Sequence, residues 1–103
     1  MKEELLHYIW QQKVLLNKTL KTTTGKQIEV VKTGSLNTDA GPDFFNARIK
    51  IDDTLWAGNV EIHLKSSDWI KHKHHTDKAY NNVILHVVFE HDAELNIPTL
   101  ELK

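Results

Sequence analysis

The stretch from Gly34 to Trp69 constrains the fold of this chain most, because it holds two runs with the two-residue period of a β-strand. In the second run Glu61, His63 and Lys65 alternate with Val60, Ile62 and Leu64. Successive strand side chains point to opposite faces, so a carboxylate, an imidazole and an ammonium share one face and three aliphatic residues the other. The first run gives Phe45, Ala47, Ile49 and Ile51 one face and Asn46, Arg48, Lys50 and Asp52 the other. Two antiparallel strands with a shared apolar underside follow, joined by a turn at Asp52-Asp53-Thr54.

The remainder arranges itself around that hairpin. Leu5, Leu6, Ile9 and Trp10 recur at helical spacing and predict a helix over residues 2–16. Thr19 to Thr24 and Gln27 to Lys32 read as two short strands pairing across a Gly25-Lys26 turn. Residues 34–42 form a polar loop, and Pro42 leads the chain out extended into Asp43. After Lys65 the alternation stops. Ser66, Ser67 and Asp68 are helix-capping types, and one or two short helical turns are expected before Asn82. Val83 to His91, reading VILHVVFEH, is apolar on both faces and predicts a central strand. The intervening residues are long enough for a crossover, which allows this strand to run parallel to the one carrying Glu61. Asp92 to Pro98 reads as a loop, and Thr99 to Lys103 opens a further strand without a stop signal. The 103 residues therefore read as one β-rich α/β domain and as the opening piece of a longer protein.

Composition narrows the chemistry. The chain has no cysteine, which removes disulfides, thiolate metal sites and cysteine nucleophiles. A formal net charge of -1 gives no global field to draw nucleic acid, so any such contact needs a local patch. The N-terminus lacks the basic start and long apolar centre of a signal peptide, and no segment has the ~18 apolar residues of a membrane span. A cytoplasmic protein is the expectation. Seven histidines stand against a single arginine, Arg48.

Two groups of residues carry possible chemistry. Asp43 at the start of one strand and Glu61 on the next, both where the sheet can open to solvent, form an oxygen-ligand pair suited to Mg²⁺ or Mn²⁺. Such an ion activates water and stabilises charge developing on a phosphoryl group. The second group is His72, His74, His75 and Asp77, with His63 and His86 on flanking strands. Imidazoles in this number suit a transition metal, but their spacing fits no established ligand pattern. Read without a metal, the first three are exposed side chains on a connection and His86 is a hydrogen-bonded core residue. Glu4 on the first helix is a further carboxylate within conceivable reach, though an acid at a helix start has an ordinary role there.

A Pro-Asp pair followed one strand later by Glu-x-(basic) resembles the PD-(D/E)xK nuclease superfamily. The helix, strands, crossover and strand framing the motif follow its order. The resemblance implies a restriction-endonuclease-like fold and a divalent-metal-dependent nuclease acting on DNA or RNA phosphodiesters. Asp43 matches the motif Asp and Glu61 its second carboxylate; both would be metal ligands. His63 stands where the motif has lysine, and Lys65 brings a positive charge on the same face. Lys71 and Lys73 would then contact phosphates and Trp69 would stack on a base. More closely, DAGPDF, GNVEIHLKSSDW, HHTDKAY and VILHVV resemble a bacterial family catalogued as domain of unknown function 2851, a likeness that implies no activity. The departure at His63, the single arginine and the absence of net positive charge fit an alternative reading, a binding or structural module of the same fold without catalysis. A histidine-ligated metalloprotein is the third.

Overall fold

The computed structural model describes residues 2–12 and 20–102. It is a mixed α/β fold dominated by strands. Helix α1 (Glu3–Gln12) is followed by β1 (Ile28–Lys32), β2 (Ser35–Leu36), β3 (Phe44–Ile51) and β4 (Thr54–Lys65). The crossover contains α2 (Asp68–Lys71) and two single 3₁₀ turns, His74–Thr76 and Lys78–Tyr80; β5 (Val83–Glu90) and β6 (Thr99–Glu101) complete the sheet. Among the described residues, no helix is long and apolar enough to cross a membrane.

The strands lie in the order β1-β3-β4-β5-β6, with β2 paired to the start of β3. β3 runs antiparallel to both its neighbours, β1 and β4, whereas β5 runs parallel to β4 and β6 parallel to β5. The expected crossover and central strand are both present: β5 is buried from Leu85 to Val88. Of the expected hairpin of residues 19–24 with 27–32, only the turn end forms: Lys21 bridges Gln27, the Thr22 N–H donates to the Lys26 carbonyl at 2.8 Å and the Ile28 N–H to the Leu20 carbonyl at 2.9 Å, while Thr19 lies outside the described residues. β1 makes its extended ladder with β3, where Ile28 is buried opposite Ile51. Of the helix expected over residues 2–16, the last four positions lie outside the described residues.

A bulge resets the face pattern of β3. Phe44 lies opposite Val60 and Ala47 opposite Gly58, so three steps on β3 match two on β4. Asn46 absorbs the extra residue at φ 62°, a left-handed conformation Asn tolerates, and its N–H donates to Asn59 Oδ1 at 3.3 Å. Phe44 rather than Phe45 therefore points inward with Ala47, Ile49 and Ile51. On this side Leu6 and Trp10 of α1 pack against Phe44, Val60, Ile62, Leu85 and Val87, all buried. Trp10 Nε1 donates to the Thr33 carbonyl at 3.0 Å, which satisfies the one polar atom of the largest core side chain.

The opposite face of the sheet is also covered. Glu61 is the register partner of His86, and His63 of Val88, so these four share a face in the middle of the sheet. The crossover folds over them and brings Trp69, 6 % exposed, against His86 at 5.2 Å between ring centroids. Its end is pinned by Asp92, whose Oδ2 accepts from Ser67 Oγ at 2.7 Å and whose Oδ1 accepts from the Ser67 N–H at 2.8 Å. Ser66 and Ser67 thus dock the loop after β5 rather than cap α2 with their side chains.

Candidate metal centre

Asp43 and Glu61 are brought together by the bulge that separates Phe44 from Ala47. The Asp43 N–H donates to Glu61 Oε1 at 3.2 Å, and Asp43 Oδ2 accepts from the Ile62 N–H at 2.8 Å. The expected pair of carboxylates on adjacent strands is thus interlocked, each touching the other's backbone or side chain. They differ in exposure from the expectation. Asp43 keeps 24 % of its side chain accessible, whereas Glu61 keeps only 5 %, because the crossover lies over it. Burial, and secondarily the neighbouring Asp43 charge, push the Glu61 carboxyl up to about 10.

The other oxygen of Glu61 faces imidazoles. Its Oε2 lies 2.9 Å from His74 Nε2 and 3.2 Å from His63 Nε2. Burial holds His63 down to about 4, with the neighbouring His74 charge adding to the effect, and it lowers His74 as well. With the carboxyl protonated and the rings neutral, these contacts are hydrogen bonds between neutral partners rather than ion pairs. Behind His63, its Nδ1 lies 2.7 Å from His86 Nε2; burial first, then the His63 charge, hold His86 down to about 3.

The crossover shapes the remaining wall. His74 lies in a parallel stack between His63, at 5.1 Å, and Tyr80, at 3.8 Å. His72 meets the His63 ring edge-on at 5.2 Å. One nitrogen from each of His63, His72 and His74 falls within 4.8 Å of the others. Beyond Tyr80 and His74 a cleft of about 360 Å³ opens, lined also by Trp69, Asn81, Val83 and Ile97.

Of the other residues expected at the site, Lys65 is exposed at the end of β4, and Lys71 and Lys73 are exposed on the crossover. Trp69 differs from its expected role. Its ring is buried against His74, Tyr80 and His86, where it holds the histidines in place instead of offering a face to a base. The sequence-based reading overlooked two residues of α1. Glu3 and His7 lie one helical turn apart, the spacing that puts two side chains on one face. His7 Nε2 is 3.6 Å from Asp43 Oδ2, while burial and the charges of Asp43 and Asp68 raise the Glu3 carboxyl above its ordinary range. Glu3, rather than the exposed Glu4, is the helix acid that faces the site. The Glu-x-x-x-His spacing beside the buried Leu6 was the available signal.

No curated protein and no solved structure matches this chain. Residues 3–103 match the family described as Protein of unknown function (DUF2851), and the chain belongs to that family.

Proposed function

We propose that this chain is a divalent-metal-dependent phosphodiesterase of nuclease type with a restriction-endonuclease-like fold, acting on DNA or RNA. Asp43 and Glu61 hold Mg²⁺ or Mn²⁺. The observation that carries the reading is the interlock of these two residues across β3 and β4, Asp43 N–H on Glu61 Oε1 and Ile62 N–H on Asp43 Oδ2. It brings two acids together at one end of the sheet with Glu3 approaching from α1. A third acid raises the electrostatic cost of ionising all three, and a dication in their midst offsets that cost. The donor set is hard oxygen, which suits Mg²⁺ or Mn²⁺. The helix, antiparallel strands, crossover and parallel strand follow the order that the nuclease resemblance implies.

Bound there, the ion supplies Lewis-acid activation of water and stabilises charge on the phosphoryl oxygens. The chain's own groups do the rest. His63 or Lys65 orients the attacking water on the face they share, and the exposed Lys71 and Lys73 hold backbone phosphates. In-line displacement at phosphorus needs little further from a protein than positioning and charge.

The test is hydrolysis of single- and double-stranded DNA and RNA with Mn²⁺ or Mg²⁺. Cleavage that stops on chelation and in Asp43→Asn supports the reading. Folded protein inactive on all four substrates contradicts it.

A further inference from the structure

We infer that His63, His72 and His74, with Glu61 Oε2 as the fourth donor, form a nitrogen-rich site for a first-row transition dication such as Zn²⁺, distinct from the oxygen site on the Asp43 side of Glu61. The inference shares Glu61 and His63 with the phosphodiesterase reading, in which Lys65 then orients the water, and uses none of that reading's phosphate contacts.

The backbone of the crossover is bent to make this cluster. Lys73, between the two histidines, sits at φ 60° and ψ 29°, the left-handed region that a residue with a β-carbon rarely adopts. Positions two apart on a helix diverge, yet the rings of His72 and His74 just beyond α2 lie 5.8 Å apart and both lie beside His63. A strained residue at the centre of a side-chain constellation is the arrangement seen where function, rather than stability, selects the backbone.

The donor geometry fits a tetrahedral ion. Zn–N distances of 2.0–2.1 Å place ligand nitrogens about 3.4 Å apart. The three nitrogens already lie within 4.8 Å of one another, and His72 is exposed and free to swing inward. Glu61 Oε2 stands 2.9 Å from His74 Nε2 and 3.2 Å from His63 Nε2, at the spacing of two ligands on one ion. Three imidazoles and one carboxylate select Zn²⁺ and its neighbours over Mg²⁺.

The surroundings supply what such a site needs. A ligating histidine is fixed by a partner on its other nitrogen, and His63 Nδ1 has His86 Nε2 at 2.7 Å. His86 is fully buried and packed on Trp69, so it is a positioning residue that sets which nitrogen of His63 faces the ion. Tyr80 holds His74 flat by stacking. Glu61 then serves two sites through different oxygens, Oε1 toward Asp43 and Oε2 toward the histidines.

The experiment is titration of the metal-stripped chain with Co²⁺, read by its visible absorption, followed by Zn²⁺ competition. Wild type and Asp43→Ala should both develop the band of nitrogen-ligated cobalt near one equivalent, and Zn²⁺ should abolish it. His72→Ala and His74→Ala should weaken binding at least tenfold. His86→Phe should weaken it by about 10–100-fold. His72 is exposed, so its replacement leaves the fold intact and isolates the ligand effect. Absence of the band in folded wild type, its persistence in the His72→Ala, His74→Ala double variant, or its loss in folded Asp43→Ala would overturn the assignment. A cobalt band in folded wild type that cleaves neither DNA nor RNA would count against the phosphodiesterase reading alone.

Discussion

His63 Nδ1 and His86 Nε2 lie 2.7 Å apart on neighbouring parallel strands, between the sheet and the crossover. One of the two rings must donate, so each fixes the other's tautomer, and His86 Nδ1 has no partner among the described residues. The pair converts a face that would otherwise be packed with aliphatic side chains into one able to hold a polar centre.

Replacing His86 with Ala opens a cavity beneath Trp69 and strands His63 Nδ1. A loss of about 2–4 kcal/mol is expected in urea unfolding, from the cavity and the orphaned nitrogen together. The exposed His75→Ala should stay within about 0.5 kcal/mol of wild type. Equal effects at the two positions would show that the buried pair carries no structural weight.

The buried titratable groups set opposite pH dependences. His63 and His86 sit below the ordinary histidine value of 6.5, so their contribution to stability is full above 6.5. It is lost as the pH falls, because the unfolded chain takes up protons that the folded chain refuses. Glu61 is raised above its ordinary 4.5, so the folded chain keeps a proton that the unfolded chain releases as pH rises. Its contribution is full below 4.5 and declines toward about 10. Between 4.5 and 6.5 two histidines outweigh one carboxyl, each worth at most about 1.4 kcal/mol per pH unit. Metal-free protein should therefore melt highest near pH 6–7 and lower at both pH 5 and pH 9 in calorimetric scans. Mn²⁺, which favours ionised Glu61, should lift the alkaline side. A midpoint unchanged from pH 5 to 9 would contradict the burial of these groups.

Gly58 on β4 lies against the entry to β5, with no room for a side chain. A β-carbon there would stand 2.5 Å from Ile84 Cγ2 and 2.7 Å from the Asn82 carbonyl oxygen. Gly58→Ala should cost about 1–3 kcal/mol, with backbone as one of the colliding groups. Because Asn59 next to it bonds both Asn46 and Asn82, the same change should also weaken metal binding at the neighbouring Glu61. Chemical denaturation and Mn²⁺ affinity check the two halves of this prediction separately.

Much of this architecture is legible in the residues themselves. Alternation in Val60–Lys65 and the two-sided apolar run of Val83–Glu90 announce adjacent strands, and the length between them announces a crossover. The bulge at Asn46 is not visible in this way, because one inserted residue inverts an alternating pattern without altering composition. The partner of β1 also escapes a local reading, since pairing with β3 is decided by contacts as far apart in sequence as Ile28 and Ile51. At the site, Asp43 and Glu61 stand out from their strand positions. The gathering of His72 and His74 over His63 depends on the left-handed Lys73, a conformation that lysine gives no reason to expect. Burial of Glu61 follows from the same cover.

Ser66 anchors that cover. Its buried hydroxyl accepts from the Asp92 and Ala93 N–H groups, both at 2.9 Å. Ser66→Ala leaves those donors without the bond and should cost about 1–3 kcal/mol. Hydrogen exchange should show faster opening of residues 66–93 than of β3, whose ladder is untouched. Uniform acceleration across the sheet would argue against a local clasp.

The central claim is that Asp43 and Glu61 together hold a divalent ion. The most direct measurement is calorimetric titration of Mn²⁺ into wild type and into the Asp43→Ala, Glu61→Gln double variant, with circular dichroism confirming that both are folded. The account predicts saturable binding by wild type and at least a tenfold loss in the variant. Equal affinities, or no binding by folded wild type, would contradict it.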